Sequence, residues 1–377
     1  MYSILSEISK LRGEDELIID YSNRNRHRVI TYNPDGSKTA YCFSTPIYNE
    51  DTGKAVNLKF TETGAGISAV GSNADITVTD RIYMESIYGS CSVSLNSAPK
   101  NIKGGVISCG KDLIYAAANG IAYKADISDK KLITFNICVD EAFTEIRSND
   151  SCFSLLWSKF TPFFSVSCIG AVDKAGKIVA PARLSYERVN DREYSFTVTS
   201  GDRSESDVMF EISLYEPKLI QDSTVESLNP EKKNPFGGVA FIGNTEYYGM
   251  QWLCLRPQTA EIRDILNRYT EKIILHIPRL SRRYVPLDAY KAAKRFCIFG
   301  ASWENRVDTD GFIGETAENG DYIDLDITET LISFQENHLL EPDGIILKPK
   351  TEEKEFMAVS TGDCCYAPQI IEIRYNA

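Results

Sequence analysis

Hydrophobic residues recur at every second position over long stretches of this chain. Val208, Phe210, Ile212 and Leu214 alternate with Met209, Glu211, Ser213 and Tyr215; Tyr194, Phe196 and Val198 repeat the pattern, as do Ile133, Phe135 and Ile137. Successive side chains of a strand point to opposite faces, so each run predicts a strand with one buried and one wetter face. Between such runs, Asn33-Pro34-Asp35-Gly36, Asp51-Thr52-Gly53 and Asp173-Lys174-Ala175-Gly176 supply residues suited to tight reversals. Many short strands at hairpin spacing predict a mainly β chain with two sandwich or jelly-roll-like domains.

Two short helices interrupt the strand pattern. Ile4, Leu5, Ile8 and Leu11 fall on one face of a helix, which fits either a cap on an open sheet end or an arm that docks a partner, a second copy of the chain included. Asp326 followed by Glu329 is a capping-box spacing ahead of Leu331 and Ile332, and predicts a second helix in the C-terminal region. Glu216-Pro217 ends the first β region, because proline cannot continue a central ladder. The expected organisation is a helical segment over 1–15, a β-rich domain over 16–216 and a second domain over 217–377. Within the last, strands are expected near 219–225, 239–242, 248–255, 271–277, 294–299, 321–325, 343–348, 355–360 and 369–375.

Composition narrows the function classes. The 377 residues are 43% hydrophobic and 25% charged, an ordinary globular balance and long enough for two cores. The net charge of −12 argues against non-specific nucleic-acid binding, since a polyanion is repelled by most of such a surface. No window of roughly 18 apolar residues predicts a membrane span. The first dozen residues lack the apolar core of a secretory signal, so the chain reads as cytoplasmic by sequence. Ten cysteines are scattered at apolar positions without a Cys-x-x-Cys spacing, which predicts free packing thiols rather than a disulfide framework. Adjacent Cys364 and Cys365 would strain the peptide between them if bridged.

Two phrases in the C-terminal region carry a resemblance. The first is Gln221-Asp222-Ser223-Thr224-Val225-Glu226-Ser227-Leu228-Asn229-Pro230, closing at Gly237-Gly238. The second runs from Trp303-Glu304-Asn305 through Leu325-Asp326-Ile327-Thr328 and Gly344-Ile345-Ile346-Leu347 to Pro368 and Tyr375. Together they resemble a DNRLRE domain, a jelly-roll module found beside repeat-rich bacterial surface proteins and in some members classed as an alginate-binding carbohydrate module. Arg28-Val29-Ile30-Thr31-Tyr32, Ser44-Thr45-Pro46-Ile47-Tyr48-Asn49 and Val56-Asn57-Leu58 resemble the β-rich segment that precedes such domains in RHS or YD-repeat proteins. The resemblance implies binding or display rather than turnover, and an extracellular or particle-associated setting.

Catalytic signatures are sparse. The three histidines, His27, His276 and His338, are far apart in sequence, and no Gly-x-Ser-x-Gly elbow, His-Glu-x-x-His helix or Walker loop occurs. His276, between Leu275 and Ile277, reads as a surface or satisfied-core histidine rather than a general base. The clearest anomaly is a basic island, with Arg279, Arg282, Arg283, Lys291, Lys294 and Arg295 set around Asp288 and interleaved with Tyr284 and Tyr290. Guanidinium groups pair with carboxylates and tyrosine faces stack on sugar rings, so this mix suits an anionic polysaccharide; the plainer reading, a solvated loop balancing nearby acids, is what charge runs usually are. Those acids follow at Asp308, Asp310, Glu315, Glu318, Asp321, Asp324 and Asp326. Asp308-Thr309-Asp310-Gly311 has the start of a calcium loop without its later positions, so a structural calcium or a plain exposed loop both fit. Trp252, alternating with Met250 and Cys254, reads as core, and Trp303 as a plug for the sandwich end, while Trp157 has no lean.

The sequence therefore points to a non-enzymatic protein without a cofactor. An anionic glycan or cell-surface glycan is the first expected partner; the alternative is assembly in a surface layer, fibre or phage-like particle. A polysaccharide lyase or hydrolase acting through tyrosine and arginine is a weaker third reading.

Overall fold

Strands pair antiparallel in four sheets that form two compact units. The computed structural model describes residues 4–376 except 14–15, 50–52, 54, 57, 65, 72–73, 95–100, 129–130, 144, 159–160, 202–205, 267–268 and 337–342. Asp51 and Thr52 of the second predicted turn, and His338, lie outside the described residues. No described helix is long and apolar enough to cross a membrane.

The N-terminal unit is built from Ile47–Glu216 and holds an eight-stranded and a nine-stranded sheet. Both sheets feed one core, with Phe135 and Phe196 from the former meeting Tyr123, Phe153 and Phe210 from the latter. Phe135 stacks on Phe210 at 4.7 Å and 3°, the offset arrangement that aromatic quadrupoles favour. The strands Leu132–Val139 and Glu193–Thr199 alternate buried and half-exposed as their period predicts. Asp207–Leu214 does not. It has partners on both edges in the middle of its sheet, and Met209 and Glu211, expected on a wetter face, are buried with the rest.

The C-terminal unit has two seven-stranded sheets and is assembled from Ile4–Pro46 together with Pro217–Ala377. The expected domain over 16–216 is thus corrected at its front. Its first strands, Ile19–Asn25, Arg28–Tyr32 and Lys38–Phe43, belong to the other unit, because Lys38–Phe43 pairs along its whole length with Ile370–Tyr375. Apolar burial explains the choice, since Ile30, Ala40 and Cys42 complete a core containing Leu253, Leu275, Leu325, Leu347 and Ile373. Arg28, almost wholly buried, adds a two-pronged pair with Asp264, both N–O distances being 2.7 Å. The Asn33-Pro34-Asp35-Gly36 reversal forms as predicted: Gly36 takes φ +87°, and the Ser37 amide donates to the Asp35 carboxylate at 3.0 Å.

The helix Ile4–Arg12 packs on this same unit. Ile8 is fully buried, but Leu5, expected on the apolar stripe, is exposed and Glu7 points inward, where it accepts a 2.5 Å hydrogen bond from the Tyr322 hydroxyl. The second helix, Thr328–Glu336, starts where the capping spacing predicts, with Asp326 accepting from the Thr328 amide at 3.0 Å and Leu331 fully buried. One expected strand is absent: 294–299 is irregular, and the strand lies earlier, at Leu287–Ala292. Its apolar pair, Phe296 and Ile298, is buried by folding over a sheet rather than joining it. The cysteines form no cross-link between described positions, and eight of the ten thiols are buried.

Candidate functional site

Alternation decides what each face of one C-terminal sheet presents. In the adjacent strands Gly249–Pro257, Ile345–Pro349 and Leu287–Ala292, the residues Leu253, Leu255, Ile345, Leu347, Leu287 and Ala289 enter the main core. Their neighbours Trp252, Cys254, Ile346, Lys348 and Tyr290 therefore face away from it. The loop after Ala292 closes over part of that outer face, burying Phe296, Ile298, Ala301 and Val307 against Val225, Cys254 and Ile346 as a small satellite core. Gly344 permits the closure: its φ is +136°, and a Cβ there would lie 2.3 Å from the Phe296 ring.

The part left uncovered is a stripe of alternating aromatic and cationic groups. Phe312, 56% exposed, sits opposite Tyr290 in register, with ring centroids 5.6 Å apart. The Lys348 ammonium lies 5.1 Å from the Tyr290 ring and 4.1 Å from the Trp252 ring. Trp303 leans on Trp252 at 4.8 Å and 52°. The Arg306 guanidinium stands 4.9 Å from the Trp303 ring and donates to the Trp303 carbonyl at 2.7 Å. Burial, with Arg306 nearby, pulls the Lys348 pKa below the ordinary lysine value, while burial and the Asp288 carboxylate push the Tyr290 phenol up. The phenol thus stays a neutral hydroxyl. Such a surface offers ring faces to the C–H side of a sugar and two cations to its carboxylates or sulfates.

The basic island is dispersed by the fold. Tyr290 joins the stripe, and Lys291 follows it on the same strand, half-buried. Arg279 is held by Glu318 at 2.7 Å and by the Gly320 carbonyl at 2.8 Å, and Arg283 pairs with Glu355. Tyr284 donates to the Thr316 carbonyl at 2.5 Å and packs against the main core. Arg282, Lys294 and Arg295 are exposed on the segments before and after the strand. Asp308 and Asp310 are both exposed where the strand Thr309–Glu315 begins, and among the described residues no group of three or more His, Cys, Asp or Glu gathers for a metal. Their acidic followers serve neighbouring cations instead: Glu315 pairs with Lys350 and Asp324 with His276.

His276 is a satisfied core residue, with Asp324 at 2.6 Å on Nδ1 and Glu372 at 3.1 Å on Nε2. Burial opposes its charge, but the two carboxylates outweigh burial and raise its pKa to about 9. A second perturbed pair is Asp222 and Asp363. Burial pushes both carboxyls up, Asp363 to about 6, and Asp222 accepts from the Gly362 amide at 2.6 Å.

Sequence reasoning missed Trp252, Trp303, Phe312, Arg306 and Lys348 as a set. Trp252 does alternate with Met250 and Cys254, but that shared face is the one opposite the main core. Trp303 rests on Trp252 and packs, half-buried, against the satellite core. Strand pairing brings these distant residues together, and nothing in their spacing announces it.

The chain matches no protein-family model and no curated protein. Among solved structures it aligns with the N-terminal domain of the Streptococcus gordonii adhesin Sgo0707, at 11% identity over 94% of this chain and 89% of that one, with a TM-score of 0.19. Backbones that superpose so little are no guide to each other's function.

Proposed function

We propose that this is a non-enzymatic binding protein whose C-terminal sandwich recognises an anionic polysaccharide through the Phe312–Tyr290–Lys348–Trp252–Trp303–Arg306 stripe. The observation that carries the reading is two half-buried indoles, Trp252 on a strand and Trp303 on the loop that leans against it, each with a cation within 5 Å of its ring. Rings alone would suit a neutral glycan. The interposed Lys348 and Arg306 add preference for a polymer with regularly spaced carboxylates or sulfates, whose charge-assisted hydrogen bonds are about twice as strong as neutral ones. Strands hold Tyr290, Phe312, Trp252 and Lys348 in place before binding, which lowers the ordering cost. The resemblance to DNRLRE domains, some of them classed as alginate-binding, favours the same ligand class.

Affinity electrophoresis of the full chain through gels cast with a polyuronate, a sulfated glycan or a neutral glucan tests this. Retardation by an acidic polymer is expected, lost in Trp303→Ala and Lys348→Ala and weakened by added salt. Arg282→Ala and Arg283→Ala, outside the stripe, are expected to keep it. Unretarded migration of the unaltered protein in every acidic gel would sink the reading.

A further inference from the structure

The N-terminal unit carries a second aromatic constellation of different geometry and opposite charge. Tyr88 lies in the turn between Ile82–Ser86 and Gly89–Ser94, Trp157 near the end of Cys152–Ser158, and Tyr215 directly after Asp207–Leu214. Their ring centroids form a nearly equilateral triangle, with Tyr88–Trp157 at 5.4 Å, Trp157–Tyr215 at 5.7 Å and Tyr88–Tyr215 at 5.9 Å. Interplanar angles of 66°, 65° and 68° stand the three rings steeply to one another, like walls meeting at a corner. Buried Phe163, 5.4 Å from Trp157 and stacked on Phe143, supports them from below.

The turn that carries Tyr88 is fixed in place. Gly89 has φ +143°, and a Cβ there would lie 2.7 Å from the Phe163 ring, so the turn backbone rests directly on that support. Beside the same glycine the exposed Asp140 carboxylate accepts from the Ser90 amide at 2.9 Å, and Glu141 next to it is exposed too. Trp157 itself is 38% exposed.

We propose that Tyr88, Trp157 and Tyr215 form an aromatic cage for a quaternary ammonium group, with Asp140 supplying long-range attraction. A flat pyranose wants one platform or two coplanar ones, whereas a compact, weakly hydrated cation gains from several faces at once. A cation above the centre of the triangle lies within about 6 Å of all three centroids, the range in which ring quadrupoles attract it. The chemical class is a trimethylammonium head, whether on a free small molecule or on a choline-bearing surface. This site is independent of the stripe in the C-terminal unit.

The test uses the full chain with 15N-labelled tryptophan, titrated with tetramethylammonium chloride against sodium chloride at equal ionic strength. The indole resonance that disappears in Trp157→Phe is expected to shift saturably, while those of Trp252 and Trp303 stay. The uncharged isostere 3,3-dimethylbutan-1-ol is expected to leave it unmoved. Tyr88→Ala should weaken binding at least about fivefold, and Asp140→Asn, which keeps the acceptor for Ser90, should weaken it by about twofold without altering the melting temperature. Choline vesicles and free choline then separate a surface ligand from a soluble one. A shift reproduced by sodium chloride or the alcohol, or no saturable shift in the unaltered protein, overturns the cage and leaves the three rings as packing.

Discussion

The two sandwiches solve the same problem from differently organised sequence. The N-terminal one is drawn from a single uninterrupted stretch, Ile47–Glu216, whereas the C-terminal one joins Ile4–Pro46 to Pro217–Ala377 across the whole length of the other. The seam runs inside a sheet, with Ala40 opposite Ile373 and Cys42 opposite Ile371. A strand at a sheet edge can be spared, but a strand in the interior supplies core side chains and ladder partners on both sides. The front forty-odd residues are therefore structural for a domain that begins, in chain order, far downstream.

The most damaging way to test that contrast is to remove residues 1–46. We expect calorimetry to show the C-terminal transition abolished and the N-terminal one retained, since the deletion takes Ile30, Ala40 and Cys42 out of one core and exposes the edge of Ile370–Tyr375. Two intact transitions would break the comparison. Single core truncations come next. Ile373→Ala should cost the C-terminal transition about 2–5 kcal/mol and Phe196→Ala the N-terminal one about 3–5 kcal/mol, each leaving the other unmoved in denaturant titrations.

Acidity sharpens the contrast further, because both histidines among the described residues, His27 and His276, fall within the C-terminal unit. The folded pKa of His276, about 9, exceeds the unfolded value of roughly 6.5, so the folded state holds the proton longer. Its stabilisation is complete below about pH 6.5 and is lost progressively as pH rises toward the folded pKa. Between pH 6.5 and 8 the C-terminal transition should lose about 2 kcal/mol relative to His276→Gln. Asp222, whose carboxyl burial raises, adds a slope of the same sign, so the difference between the two proteins is the quantity to measure. The smallest effect is expected at Arg374, which joins Asp35 to Glu271 across the seam from exposed positions. Arg374→Ala should cost no more than about 1 kcal/mol, and less in high salt. A larger loss would mean that charge rather than burial holds the seam.

Sequence alone was a good guide wherever a signal is local. Period-two alternation located Glu193–Thr199 and Leu132–Val139, proline and glycine located the Asn33–Gly36 reversal, and Asp326 located the second helix. It failed where the deciding partner is remote. Nothing near Lys38–Phe43 says that its neighbour is Ile370–Tyr375, and Phe296 and Ile298 carry a strand-like pattern because a loop that covers a sheet also needs alternate apolar contacts. The candidate site follows the same division: charge density along the chain picked out Arg279 and Arg283, which pair with Glu318 and Glu355, while Trp252 and Lys348 converge only through strand order and Trp303 through the loop folded beside them.

The pairing of Lys38–Phe43 with Ile370–Tyr375 also sets an order of events at the ribosome. Synthesis proceeds at about 5–20 residues per second, so the early strands wait tens of seconds before their partner is made. Throughout that interval the intervening unit can complete its own core, while Ile30, Ala40 and Cys42 remain uncovered in the nascent chain. Chaperone demand during translation should accordingly centre on these first strands.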